Sequence, residues 1–148
     1  MQNIFKTTVI CPKCGAQDEF TIYNFVNEKD MPGVGNIIGN YTAHLHSCPK
    51  CAARMLYSYP TIYEDLGNNV VFAYVTSKEN AKEMREKFKS LKVGKSDVYG
   101  NCKLRVFTNL ENFVDAVALH NMEYHFDEEG YREFEEHMRE VEEMLGCN

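Results

Sequence analysis

The sequence predicts an α+β protein: an antiparallel β-sheet followed by about three C-terminal helices. Three observations lead there. β-branched and aromatic residues in short runs, broken by turn residues, dominate residues 1–77. Two matched knuckles, Cys11-Pro12-Lys13-Cys14 and Cys48-Pro49-Lys50-Cys51, stand at the ends of such runs. Across residues 78–148 the apolar spacing then switches to the three-and-four repeat of amphipathic helices. With 148 residues, 44% hydrophobic and 26% charged, the chain is sized for one compact unit built from both segments.

The strands follow in order. Phe5 to Ile10 leads into the first knuckle, and Phe20 to Val26 leaves it. Met31 to Asn36, with Gly39 and Asn40, is rich in Gly, Pro and Asn and is expected to be a loop. Tyr41 to Ser47 runs as a strand into the second knuckle. Arg54 to Tyr63 and Val70 to Thr76 flank Glu64-Asp65-Leu66-Gly67-Asn68-Asn69, whose turn chemistry predicts an antiparallel hairpin.

Thr76 and Glu79 form a capping-box pattern ahead of Ala81, Met84, Phe88 and Leu91 on one helix face. Lys103 to Phe107 alternates like a short strand. Thr108 and Glu111 repeat the capping box before Leu110, Phe113, Val114, Val117 and Ala118. Asp127 is the expected N-cap of a last helix carrying Tyr131, Phe134, Met138, Val141 and Leu145, with Gly146 as its stop.

Four thiols in two C-x-x-C pairs are what one tetrahedral zinc ion takes, because thiolate sulfur is a soft ligand and each tight turn presents two sulfurs to one ion. Cys11, Cys14, Cys48 and Cys51 are therefore the expected ligands of a closed, structural Zn site in a zinc ribbon. Gly15 permits a left-handed residue after the first knuckle. The 33 residues between Cys14 and Cys48 call for an elaborated hairpin, which loop entropy tolerates because closure cost rises only logarithmically with length. His44 and His46 share strand parity with Cys48, so either can stand in for a thiol. His120, His125 and His137 form no H-E-x-x-H pattern, and Cys102 and Cys147 read as incidental thiols. No residue is assigned a catalytic or further cofactor-binding role.

The net charge of −6 conceals a segregation: residues 78–105 carry nine basic and four acidic groups, residues 106–148 two and twelve. The acidic whole, without an interleaved basic and aromatic motif, places nucleic-acid binding second to a protein partner. Tyr57, Tyr59, Tyr63 and Tyr74 are expected on one sheet face, which either binds a partner or is covered by helices. The last helix offers a seam for a homodimer. The start of the chain has no export signal and no run spans a bilayer, so a reducing cytoplasm is expected, favouring thiolates on metal over disulfides. A thiol-redox or metal-dependent enzyme is the further alternative, although neither knuckle opens an evident helix to activate a nucleophile.

With its two Cys-Pro-x-Cys knuckles at the ends of a long insertion, followed by Tyr59-Pro60, Lys103-Leu104-Arg105-Val106 and a helical tail, the chain resembles the CpXC family of prokaryotic proteins, from about Thr7 to Leu145. The resemblance implies zinc at Cys11, Cys14, Cys48 and Cys51 and implies no reaction. One departure is Ala52, where the family pattern commonly has glycine.

Overall fold

The computed structural model describes residues 2–93, 102–125 and 128–144. Five strands form one sheet in the order β1-β2-β5-β6-β7: β1 Asn3–Ile10, β2 Gln17–Asn27, β5 Thr61–Asp65, β6 Val70–Tyr74 and β7 Lys103–Phe107. A separate hairpin pairs β3 (Leu45–Ser47) with β4 (Arg54–Leu56). Among the described residues, four helices complete the α+β fold: α1 Val34–Gly39, α2 Lys78–Val93, α3 Leu110–Tyr124 and α4 Glu128–Met144.

The sheet is mixed, which corrects the antiparallel expectation. β1 with β2 and β5 with β6 are antiparallel hairpins, but β2 runs parallel to β5 and β6 parallel to β7. Parallel neighbours need crossovers of a dozen residues or more. The first crossover carries α1 and the β3–β4 hairpin, and the second carries α2. The segment between the knuckles is thus a central strand, a helix and a short strand rather than one elaborated hairpin. The predicted strand over residues 54–63 breaks after Leu56 and resumes at Thr61, while that over 41–47 shortens to Leu45–Ser47.

Period-two alternation gives the sheet two buried faces. Val26, Tyr63, Phe72 and Tyr74 point to one, where Val34 and Ile38 of α1, Phe113, Val114 and Val117 of α3, and Val141 of α4 close the main core. Val71, with Ile62 and Leu104, points to the other and packs with Phe88 of α2 and Cys102. The core and the sheet therefore draw on residues from both the 1–77 and the 78–148 segments.

The Gly-, Pro- and Asn-rich stretch expected as loop contains α1, because tertiary contacts supply what propensity lacks. Glu28 accepts the Gly33 amide on Oε2 (3.0 Å) and the Gly35 amide on Oε1 (2.8 Å), satisfying donors at the helix start. Val34 and Ile38, one turn apart, are fully buried. Gly39 lets α1 approach α3 so closely that a Cβ there would lie 3.0 Å from Ala118 Cα.

Both predicted caps fall one residue downstream. Ser77 Oγ accepts from Asn80 N at 3.1 Å, and Asn109 Oδ1 accepts from Asn112 N at 2.9 Å. Ser and Asn outrank the neighbouring Thr76 and Thr108 as N-caps. Asp127, Leu145 and Gly146, and the side chains of Tyr131 and Phe134, lie outside the described residues.

Candidate metal centre

Each knuckle is the turn of an antiparallel hairpin, the first between β1 and β2 and the second between β3 and β4. The two turns are built alike. Cys11 N donates to Ala16 O (2.9 Å) and Gly15 N to Cys11 O (2.9 Å); Cys48 N donates to Ala53 O (2.8 Å) and Ala52 N to Cys48 O (3.0 Å). The residue after the second cysteine is left-handed in both, Gly15 at φ 75° and Ala52 at φ 63°. Ala52 thus preserves the turn without the glycine.

The hairpins meet so that sulfurs pair across them. Cys11 Sγ lies 3.6 Å from Cys51 Sγ, and Cys14 Sγ 3.6 Å from Cys48 Sγ. All four sulfurs fall within 4.8 Å of one another. Those separations are far beyond the ~2.05 Å of a disulfide. They match the roughly 3.8 Å edge of a sulfur tetrahedron whose arms are near 2.3 Å. The donor set and its geometry therefore fit a metal ion held by Cys11, Cys14, Cys48 and Cys51.

Backbone dipoles prepare the leading cysteine of each knuckle for the charged state. The amides of Cys14 and then Lys13 hold the Cys11 thiol down at about 6, against the opposing effect of burial. The amides of Cys51 and then Lys50 lower Cys48 in the same way. At Cys14 the Ala16 amide lowers the value, but desolvation and the thiols of Cys48, Cys51 and Cys11 outweigh it and push the group up to about 12. Four thiols this close cannot all ionise without a cation among them.

Side chains away from the sulfurs clamp the two hairpins together. Phe20 of β2 packs on Tyr57 (5.1 Å between centroids) and edge-on to His46 (5.6 Å). His46 Nε2 lies 2.9 Å from Asp18 Oδ2, and that imidazole, followed by the Glu19 amide, holds the Asp18 carboxyl below its ordinary range. Tyr59 Oη donates to Ala43 O (2.6 Å) and accepts from Tyr23 N (3.1 Å).

Neither His44 nor His46 joins the sulfur cluster. His46 turns to Asp18, while His44, fully buried, places Nε2 2.9 Å from Thr61 Oγ1 and stacks on Tyr59 at 4.4 Å. Its Nδ1 is buried without a hydrogen-bond partner, and desolvation lowers the group to about 4. Cys102 is buried in the smaller core; Cys147 lies outside the described residues. Tyr63 and Tyr74 are core residues beneath α1 and α3, while Tyr57 and Tyr59 lie between β4 and β5 and pack on Phe20 and His44, so the four do not share one displayed sheet face.

One group of ligand-type side chains was not legible in sequence. Asp65 at the end of β5 receives both His120 and His125, which flank the last turn of α3. The two histidines are five residues apart, but no local motif ties them to an aspartate 55 positions upstream of His120.

Fold and site together define an α+β protein whose paired Cys-x-x-C hairpins assemble a four-cysteine cluster of metal-binding type. The model of one family, described as CpXC protein, matches residues 9–127, and the chain belongs to that family. The match takes in both knuckles and α1 to α3 and ends before α4, short of the Leu145 limit suggested by the resemblance. No curated protein and no solved structure matches the chain. Among the described residues, no helix is long and apolar enough to cross a membrane.

Proposed function

We propose that the protein is a non-catalytic, cytoplasmic adaptor of prokaryotic type whose ribbon is locked by one structural zinc ion on Cys11, Cys14, Cys48 and Cys51. The observation that carries this reading is the convergence of two like-built hairpins on a point ringed by four sulfurs. Four thiolates fill a tetrahedral ion's positions, leaving none for water or substrate. Zinc then acts through folding: it ties β1–β2 to β3–β4, and its binding energy becomes stability of the N-terminal half.

With Tyr63 and Tyr74 buried, the surface we assign to a protein partner is the acidic helix α4. It exposes Glu129, Glu133, Glu136, Glu140 and Glu143 while Val141 docks on the main core. A basic partner segment suits that face. Nucleic acid is less suited, since exposed Lys82, Arg85 and Lys87 on α2 are interrupted by Glu79, Glu83 and Glu86. Elemental analysis of the purified protein, with reactive thiols counted before and after chelation, tests the zinc. About one zinc per chain and four thiols released on chelation support it; a metal-free chain cycling between thiol and disulfide promotes the redox alternative. Loss of a captured partner on changing Glu133, Glu136 and Glu140 together to Gln tests the adaptor surface.

A further inference from the structure

We propose a second metal site, distinct from the thiol cluster: an open position for a divalent transition-metal ion on Asp65, His120 and His125. His120 Nε2 lies 2.7 Å and His125 Nε2 2.6 Å from the same oxygen, Asp65 Oδ2. The three ligand atoms fall within 4.8 Å of one another. They come from separate places in the fold, the end of β5, the residue before the last turn of α3 and the residue capping that helix.

The surroundings favour an ion over a simple hydrogen-bonded contact. Asp65 and His120 side chains are each only 5% exposed, and among the described residues the ion-pair partners of Asp65 are these two histidines. A buried carboxylate is stabilised by hydrogen bonds, and further by a positive charge or a metal. Neutral imidazoles donate hydrogen bonds without charge, whereas a divalent cation supplies the charge and takes the two nitrogens as ligands. The carboxylate is already aimed, since Asn68 Nδ2 donates to Oδ2 at 2.7 Å. His120 is fixed by Tyr124 (4.7 Å) and Phe72 (5.6 Å). Such outer contacts are what orient ligands in metal sites.

Binding needs little rearrangement. From the neutral form, each imidazole moves its proton from Nε2 to Nδ1, freeing a lone pair, and the carboxylate contributes its charge, so no other reactant is consumed. The nitrogens must draw back from Oδ2 by about 0.7–0.8 Å to reach the roughly 3.4 Å separation of ligands around a tetrahedral metal with ~2.1 Å bonds. His125, 29% exposed, is free to make that shift and leaves its side of the site open to solvent. Two imidazoles and a carboxylate suit zinc, cobalt(II), nickel(II) or iron(II) rather than calcium or magnesium. Three protein ligands leave coordination positions for water or an exchangeable group, the opposite of the closed thiol site.

The test is titration of the full chain with cobalt(II), because cobalt on thiolates gives intense charge-transfer absorption and cobalt on imidazole and carboxylate does not. The expected result is an equivalent bound without thiolate absorption, broadening the His120 and His125 imidazole resonances in the wild-type protein. His125→Ala, at a partly exposed position, should weaken that equivalent at least tenfold while the thiol spectrum stays. Asp65→Asn should do the same. If wild type binds cobalt only through thiols, or if both variants retain the second equivalent at wild-type affinity, the site does not exist and the three residues form a hydrogen-bonded latch.

Discussion

Gly15 and Ala52 occupy the same position in two like-built knuckles and share a left-handed backbone, φ 75° and 63°. For alanine that conformation costs roughly 1–2 kcal/mol, whereas glycine adopts it freely. Ala52→Gly should therefore stabilise the metal-loaded protein by about 1 kcal/mol. Gly15→Ala should destabilise it by a similar amount through backbone strain alone, since nothing lies within 4 Å of a Cβ there. Denaturant midpoints of the two variants check both signs.

Removing any one thiol opens the closed site. Cys48→Ser, which replaces a buried sulfur receiving two backbone amides, should reduce bound metal well below one ion per chain and lower the melting temperature by many degrees. Structural zinc in small modules is worth on the order of 10 kcal/mol of folding free energy. Metal analysis beside thermal melting reads the result, and unchanged values in both would remove Cys48 from the ligand set.

His44 predicts an acid-side loss of stability. Its folded value is depressed to about 4 by burial, while an unfolded histidine titrates near 6.5. Thr61 Oγ1 donates weakly to Tyr59 O (3.4 Å) and so accepts from His44 Nε2, leaving a second proton on Nδ1 with no acceptor in the core. As the unfolded chain takes the proton first, the stability is fully present above about pH 6.5 and is lost as pH falls toward about 4. The loss is on the order of 3 kcal/mol. His44→Phe, which keeps a ring on Tyr59, should flatten the stability curve across that window in urea melts at stepped pH.

Tyr59 bridges β2 to the segment entering β3 through hydrogen bonds at 3.1 and 2.6 Å. Tyr59→Phe leaves the Ala43 carbonyl and the Tyr23 amide without their partner while keeping the ring between His44 and Phe20. The expected cost is about 1–3 kcal/mol. Faster amide exchange at Tyr23 by NMR would place the loss locally; protection equal to wild type would show that this bridge does not hold β2.

Local chemistry made much of the fold legible. The Leu110 to Ala118 repeat marked α3, and Phe113, Val114 and Val117 are fully buried. Lys103–Phe107 is β7, with the bounds its alternation predicts. Where signals competed within a residue or two, resolution was lost: Ser77 and Asn109 took the capping roles assigned to Thr76 and Thr108 because all four can accept an amide hydrogen bond, and position decides. In α1 the local signal pointed the wrong way, since Glu28 and the α3 surface hold a helix that its own glycines and asparagine disfavour.

By itself the sequence determined the α+β class, the period of each long element and the four cysteines, because a C-x-x-C turn brings its two sulfurs together through local geometry alone. Only the tertiary structure decided what depends on chain returning from afar. Strand direction is one such property, for β2 with β5 and β6 with β7 are set by crossovers rather than by strand composition. The fates of the histidines are another: His44 beneath Tyr59, His46 on Asp18, and His120 with His125 on Asp65. A side chain's partner across 28 or 55 residues is chosen by packing, which residue spacing does not record.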